Sequence, residues 1–168
     1  FSSQLGSLLN LDVVQLPVYS WGCAIGHAIR MAARITGRNQ VLIPRLCDPE
    51  RLSVVRTYCQ PSEMESHIEV ILVAADPTSG RLDIDDLKSK LGPDVAAVYF
   101  ENPAYLGTIE TGAAEIAEAT RAAGAETMVG VDPISLGVIK APGDYGADIV
   151  TGPVQPLGVH MNCGGGVG

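Results

Sequence analysis

Apolar and polar positions alternate in blocks whose spacing changes along the chain. Over residues 22–36, Ile25, Ala28, Ile29, Ala32 and Ala33 recur at helical spacing, while His27, Arg30 and Arg34 share another face. The spacing predicts a helix there, with Ser20 as its cap and Gly37 as its stop. A short apolar run at Val41, Leu42 and Ile43 predicts a strand over 40–44. Asp48-Pro49-Glu50 then opens a second helix, because Asp caps well and Pro suits the first helical position; Leu52, Val55 and Cys59 form its buried side. Residues 68–73 are rich in β-formers, and Asp83 with Asp85-Asp86 begins a short helix reaching Leu91. Further strands are predicted at 95–100, 127–131 and 147–151, with an alanine-rich helix over 112–123 closed by Gly124.

This order of helices and strands predicts an α/β fold: three layers, α/β/α, around a mainly parallel sheet, with residues 1–168 as a single domain. In such sheets ligands lie beyond the carboxyl ends of the strands, so the turns that follow the strands are where chemistry is expected.

Composition narrows the partners. The 11 basic and 19 acidic side chains give a formal charge of −8, and three lysines offer little of the clustered positive charge that nucleic acid demands. No nucleic-acid partner is expected. Each apolar run is far shorter than the roughly 20 residues a membrane-spanning helix needs, so no membrane span is expected either. Cys23, Cys47, Cys59 and Cys163 form no Cys-x-x-Cys pair, which reads as reduced thiols in a cytoplasmic protein. His160 and Cys163 make one loose pair where a zinc site draws on two tight ones, so no metal is expected. Phe1 and Gly168 both read as cut points in a longer protein.

Three places carry candidate chemistry. Tyr19-Ser20-Trp21-Gly22-Cys23 leads into a helix whose free amides suit a phosphate or carboxylate, although Gly22 is equally explained by ordinary capping. Asp132, directly after the strand at 127–131, either pairs with a protonated ring nitrogen or a metal, or simply caps a turn with Pro133. Asn102-Pro103 starts a turn, and its place at the strand end makes Asn102 a candidate ligand contact.

Three stretches carry a family resemblance. They are Asp132-Pro133-Ile134-Ser135-Leu136-Gly137, the run from Lys140 through Tyr145 to Val150, and Gln155-Pro156-Leu157-Gly158. Together they resemble the α subunit (subunit 1) of glycine dehydrogenase (decarboxylating), the P-protein of the glycine cleavage system. Asn102-Pro103-Ala104-Tyr105-Leu106-Gly107 and Arg34-Ile35-Thr36-Gly37-Arg38 are similar to further runs of the family. The resemblance extends from about Leu8 to the end.

It implies a fold-type I pyridoxal-phosphate enzyme of the aminotransferase kind, of which this chain matches only part of the large domain. It further implies an enzyme that decarboxylates glycine on pyridoxal phosphate and passes the aminomethyl group to the lipoyl arm of the H-protein. By the same resemblance Asp132 matches the aspartate facing the pyridine nitrogen, Gly22 lies at the phosphate-cup position with Trp21, Cys23 and Ala24 replacing the family's usual residues around it, and Gly22, Cys23, Asn102 and Asp132 are degenerate positions of the cofactor site. Gln155-Pro156 stands where active relatives place His-Lys, and Gly166 replaces a family proline. The implied assembly is an oligomer whose β subunit carries the Schiff-base lysine and the cofactor, with no catalytic residue on this chain. Another fold-type I enzyme would require a lysine near position 155, a nucleotide-binding module would require a glycine-rich strand-to-helix turn, and a pure interaction domain remains a further alternative.

Overall fold

The computed structural model describes residues 1–15, 18–60 and 66–158. Among the described residues five α-helices and five strands follow in the order α1 (Ser2–Leu9), α2 (Trp21–Thr36), β1 (Gln40–Pro44), α3 (Pro49–Cys59), β2 (Glu69–Val73), α4 (Ile84–Lys90), β3 (Val95–Glu101), α5 (Ala113–Ala122), β4 (Glu126–Gly130) and β5 (Ile149–Thr151). The sheet runs β2-β1-β3-β4-β5, and every neighbouring pair is parallel. The expected three-layer α/β class is what forms.

Helix boundaries follow from side chains that occupy the free amides of the first turn. Ser20 Oγ accepts from the Cys23 amide at 3.2 Å, Asp48 Oδ1 from Arg51 at 2.9 Å, and Asp83 Oδ1 from Asp85 and Asp86 at 3.0 Å each. Gly37, in the left-handed region at φ 69°, ends α2.

Period-2 alternation then sorts the strands between two apolar layers. Val41, Ile43, Ala97, Tyr99 and Met128 pack beneath α2 and α3 with Ile25, Ile29 and Val55. Leu42, Val98, Phe100 and Val129 face the other way, onto Leu5, Leu87 and Ile116 of α1, α4 and α5. β3 is buried along its whole length, as befits the central strand of a covered parallel sheet.

The structure differs from the sequence expectation in two respects. α1 forms within a stretch for which no element was expected, because Leu5 and Leu9 close over the layer that contains Leu42. The last strand is three residues long rather than five. The β4–β5 crossover, for which the sequence reading placed no helix, contains no α-helix. Pro133, Gly137, Pro142, Gly143 and Gly146 break it into 3-10 turns at Pro133–Gly137 and Pro142–Tyr145.

Candidate functional site

The carboxyl edge of the sheet gathers the N-termini of α2 and α3 and the exits of β1, β3, β4 and β5. Its centre is a cluster around Arg51. Asp48-Pro49 starts α3 directly beneath the β1 exit and thereby sets Arg51 against the end of β3. There Arg51 Nη2 donates to Glu101 Oε2 at 3.0 Å, and Tyr99 Oη donates to Glu101 Oε1 at 2.9 Å. The guanidinium carbon lies 4.2 Å from the centre of the Trp21 ring and 5.9 Å from that of Tyr105. Trp21 Nε1 in turn donates to Thr151 Oγ1 at 3.3 Å, which joins α2 to β5.

Burial governs the electrostatics. Glu101 is only 5% exposed, and loss of water raises its carboxyl above the usual range, with Arg51 and the Tyr99 hydroxyl pulling the other way. The Tyr99 phenol is pushed well up by burial and by the adjacent Glu101. Cys47, beside the same carboxylate, is raised to about 11, chiefly by burial and then by Glu101; Cys59 is raised to about 11 by burial. Neither thiol is an activated nucleophile at neutral pH. A small cleft next to the cluster is lined by Cys47, Leu82, Phe100, Glu101, Ala104 and Glu110.

The four residues singled out in the sequence all fall on or near this edge, each with a local task. Gly22 lies in the first turn of α2, where a Cβ would sit 3.0 Å from Val54 Cβ, so its small size lets α3 approach. Cys23 places its amide on the Ser20 cap, and its thiol neighbours the Tyr58 hydroxyl, whose pKa it raises. Asn102 is buried and spends its carboxamide on the loop that follows: Oδ1 accepts from the Glu110 amide at 3.1 Å, and Nδ2 donates to the Glu110 carbonyl at 3.5 Å. Asp132 is exposed and caps its own turn, with Oδ1 accepting from the Ile134 amide at 3.0 Å. The His160–Cys163 pair and the 164–166 glycines lie outside the described residues.

Sequence reasoning did not pick out Arg51, Trp21, Tyr99 or Thr151. The available signals were a glutamate at the end of an otherwise apolar strand and an arginine one turn into the helix after β1.

Comparison with known proteins places these observations in a family. The profile of the glycine cleavage system P-protein family matches residues 1–167. The chain belongs to that family. It is 39% identical over 166 residues to a "probable glycine dehydrogenase (decarboxylating) subunit 1" of Saccharolobus solfataricus, covering 98% of this chain and 36% of the relative. The relative of the same description in Staphylothermus marinus is 38% identical, with 98% and 34% covered. The chain therefore spans about a third of the length of these P-protein relatives. A crystal structure of glycine decarboxylase (P-protein) in inhibitor-bound form superposes with a TM-score of 0.84 at 33% identity, covering 98% of this chain and 35% of that one. An aminotransferase from Eubacterium rectale gives a TM-score of 0.64 at 15% identity, covering 92% and 41%, and so shares the fold.

Pyridoxal phosphate, the cofactor that the family resemblance implies, fits poorly against the described residues. Space at Gly22 is taken by Val54, the Ser20 hydroxyl is committed to its cap, and Arg51 is neutralised by Glu101. Two of the chain's three lysines, both on α4, are engaged in ion pairs. Lys88 pairs with Glu115 at 2.7 Å, Lys90 with Asp86 at 2.6 Å, and Lys140 lies in the β4–β5 crossover.

Proposed function

We propose that this chain is a large-domain part of subunit 1, the α subunit, of glycine dehydrogenase (decarboxylating) in the glycine cleavage system. On this reading it is a single domain, without a catalytic residue of its own. It supplies one wall of an active site whose pyridoxal phosphate and Schiff-base lysine stand on a partner β subunit. The assembled enzyme decarboxylates glycine and hands the aminomethyl group to the lipoyl H-protein. The observation that carries the reading is a P-protein fold in which position 155 holds an amide, Lys88 and Lys90 of α4 are ion-paired, and Lys140 lies in the β4–β5 crossover.

Two further features support it. Tyr105, Leu106, Ile109, Ile134 and Leu157 are exposed in segments that follow β3, β4 and β5, which suits a subunit boundary rather than open water. Cys23, Cys47 and Cys59 are free thiols, in keeping with a reducing cytoplasm. Asp132, Asn102, Gly22 and Cys23 then belong to the degenerate side of the site and shape its edge. No metal, nucleic acid or membrane enters this reading.

Co-expression with a β subunit of the same system tests it. The two should co-purify, and glycine-dependent CO2 release should require both. Borohydride reduction of this chain with pyridoxal phosphate should label surface amines slowly and diffusely, unchanged by Lys140→Ala. Stoichiometric labelling of Lys140, or CO2 release by this chain without a partner, would overturn the assignment.

A further inference from the structure

An ion pair fills the centre of the sheet's carboxyl edge. Four groups from four elements converge there: Trp21 of α2, Arg51 of α3, Glu101 of β3 and Thr151 of β5. Both carboxylate oxygens of Glu101 are used, one by Arg51 and one by Tyr99. The backbone beneath is shaped to admit the cluster. A Cβ at Gly130 of β4 would collide with Tyr99 Oη, lie 2.9 Å from Glu101 Cγ and lie 3.1 Å from the Trp21 ring. A side chain at that position would therefore displace three members at once.

We propose that Arg51 is a built-in anchor of this edge: held by Glu101 and stacked on Trp21, it fixes the first turns of α2 and α3 and the Tyr105 loop. Edges of this kind are commonly ordered by the anion they bind, through helix N-termini and donors converging on it. Here a planar guanidinium does that ordering from within. It is suited to the task because it stacks on an aromatic face while donating in its own plane to a carboxylate, which a lysine ammonium cannot do. Held this way, the Arg51 guanidinium is engaged within the chain rather than offered to a free anion. This inference concerns the chain's own edge and holds whether or not the proposed partner is correct.

Trp21 is the sole tryptophan, so its fluorescence reports on the anchor directly. In Arg51→Met and Glu101→Gln, Trp21 emission should shift to the red and become more accessible to iodide. Hydrogen exchange should accelerate over residues 102–108 and the first turn of α3 while α5 keeps its wild-type rates. Arg51→Lys should restore pairing with Glu101 without the stack, leaving exchange intermediate and the emission still shifted. Adding pyridoxal phosphate or inorganic phosphate to the wild type should change neither its emission nor its melting temperature.

Unchanged Trp21 emission in a folded Arg51→Met protein would overturn the proposal. Equal acceleration of exchange in α5 would reduce Arg51 to a general stabiliser and overturn it too, as would a saturable rise in wild-type melting temperature with either anion. Should Arg51→Met fail to fold, Glu101→Gln and Arg51→Lys carry the same test, since both retain a polar partner for the remaining group.

Discussion

Gly26 sits where α2 meets α3, and a Cβ built there would lie 2.5 Å from Tyr58 Cγ and 2.9 Å from its Cβ. Alanine ordinarily stabilises a helix over glycine by up to about 1 kcal/mol. Here the clash is with the rigid root of a side chain, so Gly26→Ala should instead cost about 1–3 kcal/mol, the usual range for overpacking. Urea denaturation checks the sign, with Gly92→Ala as the control because nothing lies within 4 Å of that position. The same contact shows what one residue does not disclose. Gly22 in sequence reads as a phosphate-cup glycine, yet Val54, which requires its small size, lies on the next helix, and no local pattern links the two.

Glu101 gives the second residue-scale expectation. Its folded pKa is raised by burial above the ordinary 4.5, so the folded state binds a proton more tightly than the unfolded chain. The stability that Glu101 contributes is complete below its unfolded value and is lost as pH rises through the folded one. Relative to Glu101→Gln, wild-type stability should therefore decline with rising pH across that interval. Arg51→Met should push the decline to higher pH, because Arg51 is the largest influence holding the carboxyl down. Melting temperatures collected across mildly acidic pH would detect both, and a flat difference would contradict them.

At the scale of the element, helices were legible wherever a cap announced them. Asp83 receives the amides of Asp85 and Asp86, and Asp83→Ala should cost about 0.5–2 kcal/mol, measurable by chemical denaturation. Strands were legible because covered parallel strands read as unbroken apolar runs, as β3 does. α1 escaped notice because serines and a glycine surround its leucines, and only the layer below it gives Leu5 and Leu9 a reason to be helical. The edge cluster was illegible for a related reason. Arg51 and Glu101 are separated by a full strand-helix-strand passage, so their meeting is a property of sheet order, β1 beside β3, and not of spacing.

For the whole molecule, charge and exposed apolar surface act against each other. Ile134 is 62% and Leu106 61% exposed, whereas a net −8 opposes close approach of copies. The chain alone should self-associate near neutral pH, increasingly so as salt screens the repulsion. Light scattering should show a rising apparent mass with concentration, reduced by Leu106→Ser combined with Ile134→Ser; a strict monomer at high concentration would refute this.

The form of that association follows from the outer rim of β2. Lys90 Nζ donates to the Leu72 carbonyl at 2.9 Å, Asp86 Oδ2 accepts from the Ala74 amide at 2.6 Å, and the Asp83 amide donates to the Ala74 carbonyl at 3.0 Å. These are outward-facing groups of an edge strand, the ones another chain would use to extend the sheet. With these groups occupied, the carboxyl end of this edge is blunted, and copies meet more readily through loop surfaces than by adding strands at this side. The oligomers should accordingly dissolve on dilution, leave thioflavin T dark and show no cross-β spacing, whereas Lys90→Ala with Asp86→Ala would open a route to fibrils.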